Sequence, residues 1–87
     1  METYNIIRYP LSTEKAIRLM EAENKLVFVV DNKAKKAEIK QAVEEAFKVN
    51  ILKINTLIAK DGRKRAYVKL SLDTPAIDVA TNLGIMG

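Results

Sequence analysis

The chain has 87 residues and a mass of 9.8 kDa, a length that suits one small hydrophobic core. Cysteine and histidine are absent, which excludes disulfide frameworks, zinc fingers, thiol nucleophiles and imidazole bases. Fifteen basic and eleven acidic residues give a formal charge of +4, and 48% of the residues are hydrophobic. This balance is typical of a folded basic domain. We expect residues 1–87 to form a single domain without cofactor or metal, and the lack of a signal-like apolar segment predicts cytosolic residence.

The first half of the chain predicts an edge strand at 5–8, a helix from a Ser12 cap through about residue 22, a strand at 25–31 and a long helix at 35–48. Asn24 is the expected stop of the first helix. Residues 26–30 read Leu-Val-Phe-Val-Val, which is typical of a strand covered on both faces. The long helix gives the clearest pattern, because its apolar residues recur at i, i+3, i+4, i+7 and i+8.

The second half predicts strands at 50–60 and 64–71, which Asp61-Gly62 would join as a hairpin. A last helix is expected with Thr74 as its cap, Pro75 as its first residue and Gly84 as its end. This order of elements predicts an α+β fold in which a small antiparallel sheet with a β-hairpin packs against helices, of the ferredoxin-like or split α-β sandwich type.

The two faces of the hairpin predict its register. Pairing Asn55 with Lys69, Leu57 with Tyr67 and Ala59 with Arg65 keeps the apolar residues together on the opposite face. A three-residue loop at 61–63 follows from this pairing. The first face would then combine cations, an amide and an aromatic ring, and its members are Lys53, Asn55, Arg65, Tyr67 and Lys69, with Lys60, Arg63 and Lys64 at the tip.

Residues 60–69 hold five basic residues and one acid, so this segment carries the whole +4 and the other residues sum to zero. Clustered cations suit phosphate binding. Tyr67 could stack on an unpaired base, and Asn55 and Thr56 could bond to phosphates or 2′-hydroxyls. A second basic group precedes the long helix at Lys33, Lys35 and Lys36. The alternative is a solvated face that protects a sheet edge from aggregation, and composition alone does not decide between the two.

The segment Ser12-Thr13-Glu14-Lys15 matches the S-x-x-K spacing of serine acyl-enzymes. The companion motifs of those enzymes are missing, and so short a chain has little room for an enclosed pocket. We interpret the segment as a helix start. Catalysis therefore ranks below RNA binding, and also below a free ferredoxin-like regulatory or scaffold domain with a solvated basic hairpin.

Four stretches, in order along the chain, carry further motifs. They are residues 9–16 (Tyr-Pro-Leu-Ser-Thr-Glu-Lys-Ala), 36–44 on the long helix, 49–57 with its Asn-Thr-Leu, and 64–71 (Lys-Arg-Ala-Tyr-Val-Lys-Leu-Ser) followed by Val79. Together they resemble the L23 family of large-subunit ribosomal proteins. The resemblance implies a non-catalytic protein of cytoplasmic ribosomes. It would bind the third domain of 23S-type ribosomal RNA beside the mouth of the polypeptide exit tunnel.

The resemblance also implies contacts. Its first set of RNA-binding residues is Lys15, Asn55, Thr56, Lys64, Arg65 and Lys69. Its second set is Arg8, Lys33, Lys36, Lys60, Arg63 and Tyr67. Glu14 matches an acidic position on the outer surface, where the signal-recognition particle or another nascent-chain factor would dock, and neighbouring proteins such as L29 would lie close by.

Two positions depart from the family pattern. Bacterial members have a long basic hairpin loop, whereas the short loop here and the ending at 79–85 look like archaeal members. Lys35 stands where the family often has a capping Asn or Thr. Because a lysine side chain accepts no hydrogen bond, we expect the start of the long helix to fray or to recruit an RNA phosphate.

Overall fold

The computed structural model describes residues 6–83, with side chains through Val79. The elements in this range are β1 Ile7–Pro10, α1 Glu14–Glu23, β2 Lys25–Val30, α2 Lys36–Phe47, β3 Ile51–Ile58, β4 Lys64–Leu70 and α3 Ala76–Leu83. The strands form an antiparallel sheet in the order β1-β2-β4-β3. This confirms the predicted α+β fold, which is consistent with the split α-β type. None of the described helices is long and apolar enough to span a membrane.

Strand β2 is buried on both faces, as its continuous apolar run predicts. Phe28 is fully buried in the main core, where its ring stacks on Phe47 with 5.4 Å between centroids. Val27 and Val29 point to the other face and are only 4% and 3% exposed. Since α1 packs on β2 and its Ala16 is also buried outside the main core, the sheet has apolar cover on both sides of β2.

The start of the chain differs from its predicted boundaries. The cap of α1 is Thr13, whose Oγ1 accepts a hydrogen bond from the N–H of Ala16 at 3.2 Å, so the prediction of Ser12 is wrong by one residue. Either hydroxyl residue can cap, and the position of the extended backbone before the helix decides which one does. Strand β1 runs to Pro10, two residues beyond the predicted end. An edge strand tolerates proline because its outer side needs no N–H donor.

The hairpin register is shifted by two residues from the predicted one. Asn55 lies opposite Tyr67 and Leu57 opposite Arg65, so the predicted pairs of Asn55 with Lys69, Leu57 with Tyr67 and Ala59 with Arg65 are wrong. Gly62 sets the register. It has φ +86°, which suits the left-handed last position of a three-residue loop at 60–62. A shift of two leaves every side chain on its predicted face.

A bulge opens β3. The register slips between Ile51 and Lys53, which makes Leu52 the extra residue. Ile51 lies opposite Leu70 and is buried, whereas Lys53 lies opposite Lys69 and is exposed. The bulge therefore lets the strand bury its first residue and present a lysine two residues later.

Asn24 joins three parts of the fold. It ends α1 in the left-handed region at φ 54°, as predicted. Its Nδ2 donates to the carbonyl oxygens of Leu70 and Ser71, each at 3.1 Å, and of Thr74 at 3.3 Å. Its Oδ1 accepts from the N–H of Ala76 at 2.6 Å. The start of α3 is thus bonded to a distant side chain, and the helix begins at Ala76, one residue after the predicted Pro75. Gly84 lies outside the described residues.

Candidate nucleic-acid interface

One face of β3 and β4 collects the predicted polar and basic side chains, and we call it the open face. The alternation of side chains along a strand places them there, and the two-residue shift of register does not move them. Lys53, Asn55 and Lys69 are exposed, and Arg65 and Tyr67 are half-buried. The members of the open face are Lys53, Asn55, Leu57, Arg65, Tyr67 and Lys69.

A row of three lysines crosses the sheet at one end of the open face. Lys69 lies between Lys25 of β2 and Lys53 of β3. The Nζ of Lys25 is 3.1 Å from the Oε1 of Glu23. Among the described residues, neither Lys53 nor Lys69 has a carboxylate oxygen within 4 Å. Since like charges directly opposite each other destabilise a sheet, this row would be stabilised by an external anion.

An open groove extends the open face at its other end. Lys15 of α1, Lys60 of the hairpin loop and Arg65 line it, together with the ring of Tyr67. Asp61 also lines this groove, but its Oδ1 accepts a hydrogen bond at 3.0 Å from the backbone N–H two residues further along the chain. Cations beside an accessible ring suit a nucleic-acid strand, whose phosphates bind the cations and whose bases stack on the ring.

Lys64 lies on the opposite face from Arg65, although the two are neighbours in sequence and Lys64 was predicted at the tip of the open face. Its Nζ donates to the carbonyl oxygen of Ala34 at 2.7 Å, and its N–H donates to Oδ1 of Asn32 at 3.1 Å. Asn32 also donates to the carbonyl oxygen of Gly62 at 2.8 Å. These bonds tie the hairpin to the connection between β2 and α2, so the ammonium group of Lys64 has a structural partner.

Asn55 and Thr56, which were predicted together as RNA contacts, also point to opposite faces. Asn55 lies opposite Tyr67 on the open face and is exposed. Thr56 lies opposite Ala66, which is fully buried, and is itself half-buried. The two side chains therefore do not belong to one surface.

Three second-set cations lie near the β1 edge and not on the open face. The Nη2 of Arg8 is 3.4 Å from Oδ2 of Asp31. Arg63 donates from Nη1 to the hydroxyl of Tyr9, and these two residues line a pocket with Arg8. Lys33 is exposed, and its N–H donates to Oδ1 of Asp31 at 2.8 Å. The structure thus divides the predicted cations between the open face and the β1 edge of the sheet.

The start of α2 has a partner that the sequence prediction missed. The N–H of Lys35 donates to Oε1 of Glu38 at 3.0 Å, so the helix begins with one half of a capping box. The signal was the acid three residues after the cap position. Lys36, a second-set candidate, is the first residue of α2 and is exposed, and it shares a groove with Lys40, which the sequence analysis did not select.

Glu14, the predicted docking residue, is paired on its own helix. Its Oε1 lies 2.7 Å from Nη2 of Arg18, one turn along α1, and both side chains are mostly exposed. A factor that approaches this surface would meet a carboxylate and a guanidinium side by side, and not an isolated negative charge.

The chain is similar to known proteins over almost its whole length. The family described as "Ribosomal protein L23" matches residues 5–77. A protein of Methanococcus aeolicus named "Large ribosomal subunit protein uL23" is 47% identical over 85 residues, which cover 98% of this chain and 99% of that protein. A protein of the same name from Trypanosoma brucei brucei is 45% identical over 85 residues, which cover 98% of this chain and 52% of that protein. The chain thus spans about half the length of the trypanosome relative.

Proposed function

The chain belongs to the ribosomal protein L23 family, and we propose that it works as a single RNA-binding domain in the large ribosomal subunit of cytoplasmic ribosomes. Membership confirms the resemblance drawn from the four sequence stretches. The family consists of ribosomal proteins and not of enzymes, so the S-x-x-K spacing at Ser12 and Lys15 needs no catalytic explanation. It also favours a ribosomal role over a free regulatory or scaffold domain.

The proposed ligand is the third domain of 23S-type ribosomal RNA, beside the mouth of the polypeptide exit tunnel. One observation carries the RNA-binding proposal: Lys53 and Lys69 lie directly opposite each other on the open face, with no carboxylate of the described residues within 4 Å. Phosphate oxygens would relieve this repulsion and release condensed counterions.

The remaining side chains of the open face have complementary roles in this proposal. Arg65 would form bidentate hydrogen bonds with a phosphate, because its planar guanidinium group presents two parallel N–H donors. Tyr67 would stack on an unpaired base, and Asn55 would bond to a 2′-hydroxyl or a base edge. β4 has a strand on each side, so the backbone that carries Arg65 and Tyr67 is fixed before RNA binds.

The test neutralises the opposed lysines with Lys53→Gln and Lys69→Gln together. We expect the affinity for a third-domain RNA fragment to fall roughly tenfold at physiological salt, and the slope of log K against log salt to shrink by about 1.4–1.8, which corresponds to two phosphates. A filter-binding titration at four salt concentrations measures both quantities. Circular dichroism checks that the variant is folded.

The matched control removes two cations elsewhere, with Arg18→Gln and Lys48→Gln. Both residues are exposed and neither lines the open face or its groove. This control should keep the wild-type slope. If the open-face variant also keeps the wild-type affinity and slope, its proposed role in RNA binding is wrong.

Sedimentation separates the ribosomal role from a free domain. A tagged chain should move with large subunits through a sucrose gradient at physiological salt and dissociate as salt is raised. A chain that stays at the top of the gradient while subunits sediment normally would favour the free regulatory or scaffold domain.

We also propose that the Glu14 surface docks a nascent-chain factor such as the signal-recognition particle, with L29 among the neighbouring proteins. The supporting observation is the exposed Glu14–Arg18 pair at the start of α1. Glu14→Lys should lower the affinity of ribosomes for the particle several-fold without changing subunit assembly, since it places two cations side by side. Glu45→Lys on α2 is the control, and equal affinity of the Glu14→Lys ribosomes for the particle would reject the docking role.

A further inference from the structure

A groove between α2 and the outer edge of β3 holds a second group of cations, and we call it the edge groove. Lys36 and Lys40 reach it from α2, and Lys53 reaches it from β3. The other described residues that line it are apolar, so none of them carries a carboxylate. Three lysines therefore line a groove whose described lining carries no negative charge.

The carboxylates nearest in sequence do not neutralise these lysines. Lys36 and Lys40 are one helical turn apart, where like charges repel. Glu38 lies between them in sequence, and its Oε1 accepts the N–H of Lys35 at 3.0 Å. Glu44 is one turn beyond Lys40 but forms no ion pair with it, and the ion pairs of the described residues include none of the three lysines. An external anion would satisfy all three.

The backbone around the groove adds to its suitability. β3 is the outer strand of the described sheet, so its outer edge faces no other strand. The bulge makes Leu52 the extra residue there, and this side chain is 65% exposed. A β-bulge changes the direction of neighbouring side chains. Here Ile51 points into the core, whereas Lys53 is exposed. Because α2 packs on β3, the three lysines stand on two elements that hold them in place.

Lys53 belongs to both basic surfaces. On the open face it lies opposite Lys69, and at the strand edge it lines the groove with Lys36 and Lys40. The cations therefore form a belt around the edge of β3, from one side of the sheet to the helix on the other side. A belt of ammonium groups fits a continuous polyanion better than it fits a small anion, which would contact one part of it.

We propose that the edge groove binds the phosphate backbone of a second RNA segment, so that β3 is held between two segments of one RNA. This inference rests on the proposed RNA-binding function and adds a second surface to it. The ligand chemistry is a phosphodiester backbone without base readout, because lysines act as point charges and the groove offers no aromatic ring among its described residues.

The first test neutralises the groove with Lys36→Gln and Lys40→Gln together. We expect the slope of log K against log salt for the third-domain fragment to shrink by about 1.4–1.8, with roughly a tenfold loss of affinity at physiological salt. The Arg18→Gln, Lys48→Gln chain is again the control. If only the open-face variant weakens binding, the groove proposal is overturned and the proposed function stands. If neither variant changes binding, both fail.

The second test locates the two RNA segments. The chain has no cysteine, so a single introduced thiol can carry a tethered iron chelate that cleaves nearby RNA. Ala37→Cys places it in the edge groove, and Leu57→Cys places it on the open face. Ala46→Cys is the control, because Ala46 is exposed and lies about 180° around α2 from Ala37.

Two separate sets of cleaved nucleotides, one from each of the first two positions, would support binding of two segments. Cleavage from Ala37→Cys at the same nucleotides as from Leu57→Cys would overturn it, because one segment would then account for both surfaces. Cleavage from Ala37→Cys no stronger than from Ala46→Cys would also overturn it, and would leave the groove to an acidic protein segment.

Discussion

The two faces of the β3–β4 hairpin use the same kinds of residue in opposite ways. On the face toward α2, Ala66 and Val68 are fully buried and the ammonium group of Lys64 is bonded to a carbonyl oxygen. On the open face, Lys53 and Lys69 oppose each other, and no carboxylate oxygen of the described residues lies within 4 Å of either ammonium group. The first face stabilises the fold, and the second holds charges that a ligand would satisfy.

The difference shows that the number of cations in a sequence segment does not equal the number that a ligand can contact. The +4 segment at 60–69 divides in the structure: Lys64 bonds to Ala34 and Arg63 to Tyr9, which leaves the rest for the open face and its groove. Lys15 and Lys53 join that surface from outside the segment. The basic surface is therefore assembled by the fold from separate parts of the chain.

The largest effect is expected in the core behind the hairpin. Phe28 is 0% exposed and stacks on Phe47, so Phe28→Ala should lower the free energy of unfolding by about 3–5 kcal/mol. Urea denaturation measures it. Leu57→Ala on the open face is the comparison and should cost well under half as much, because Leu57 is 46% exposed. Equal losses would contradict the distinction between a stabilising face and a binding face.

The second-largest loss of stability is expected at Asn24, which connects the end of α1 to the start of α3. Asn24→Ala removes the donor to three carbonyl groups and the cap of Ala76, and we expect a loss of about 2–4 kcal/mol in the free energy of unfolding.

Two further variants at this position separate the causes. Asn24→Gly keeps the left-handed backbone at no steric cost but lacks the hydrogen bonds. It should therefore be more stable than Asn24→Ala, by the steric cost of an alanine in this conformation, but less stable than the wild type. Asn24→Asp keeps the acceptor for Ala76 but turns a carboxylate toward three carbonyl oxygens. If Asn24→Gly is as stable as the wild type in urea denaturation, the long-range bonds contribute nothing.

Lys64 and Arg65 give the sharpest test of the two faces, since they are adjacent cations. Lys64→Gln should lower the free energy of unfolding by about 1 kcal/mol and leave the salt slope of RNA binding unchanged, because its ammonium already has a protein partner. Arg65→Gln should shrink the slope by about 0.7–0.9 and change stability much less. Urea denaturation and RNA titrations on the same samples measure both. A reversed outcome would exchange the roles of the two faces.

The sequence predicts the elements of this fold well because their patterns are local. Periods of 2 and 3.6 locate the strands and helices to within a few residues, and the apolar run at 26–30 shows that β2 is covered on both sides. The predicted hairpin register is wrong because a period of two cannot distinguish a shift by two residues. The position of Gly62 indicates the correct register, since a glycine can adopt the positive φ that the last loop position requires.

The site is less predictable, because its geometry depends on contacts between distant residues. Alternation alone could have separated Asn55 from Thr56, and the i, i+4 spacing could have drawn attention to Lys40 beside Lys36. No local pattern shows that Lys53 and Lys40 line one groove, since this follows from how α2 packs on β3. The bond between Ala76 and Asn24 joins residues that are 52 apart in sequence, so no local pattern predicts it.

The smallest effect is expected at the exposed pair of Glu14 and Arg18. A double-mutant cycle with Glu14→Gln and Arg18→Gln should give a coupling of about 0.3–0.5 kcal/mol, because both side chains are solvated and the pair spans one helical turn. This coupling should decrease further in 1 M salt, unlike the contribution of Lys64, which is partly buried. A coupling above about 1 kcal/mol would show that the pair is a fixed part of α1. Glu14 would then be held by its own helix, and a docking factor would have to break that pair before it could use the carboxylate.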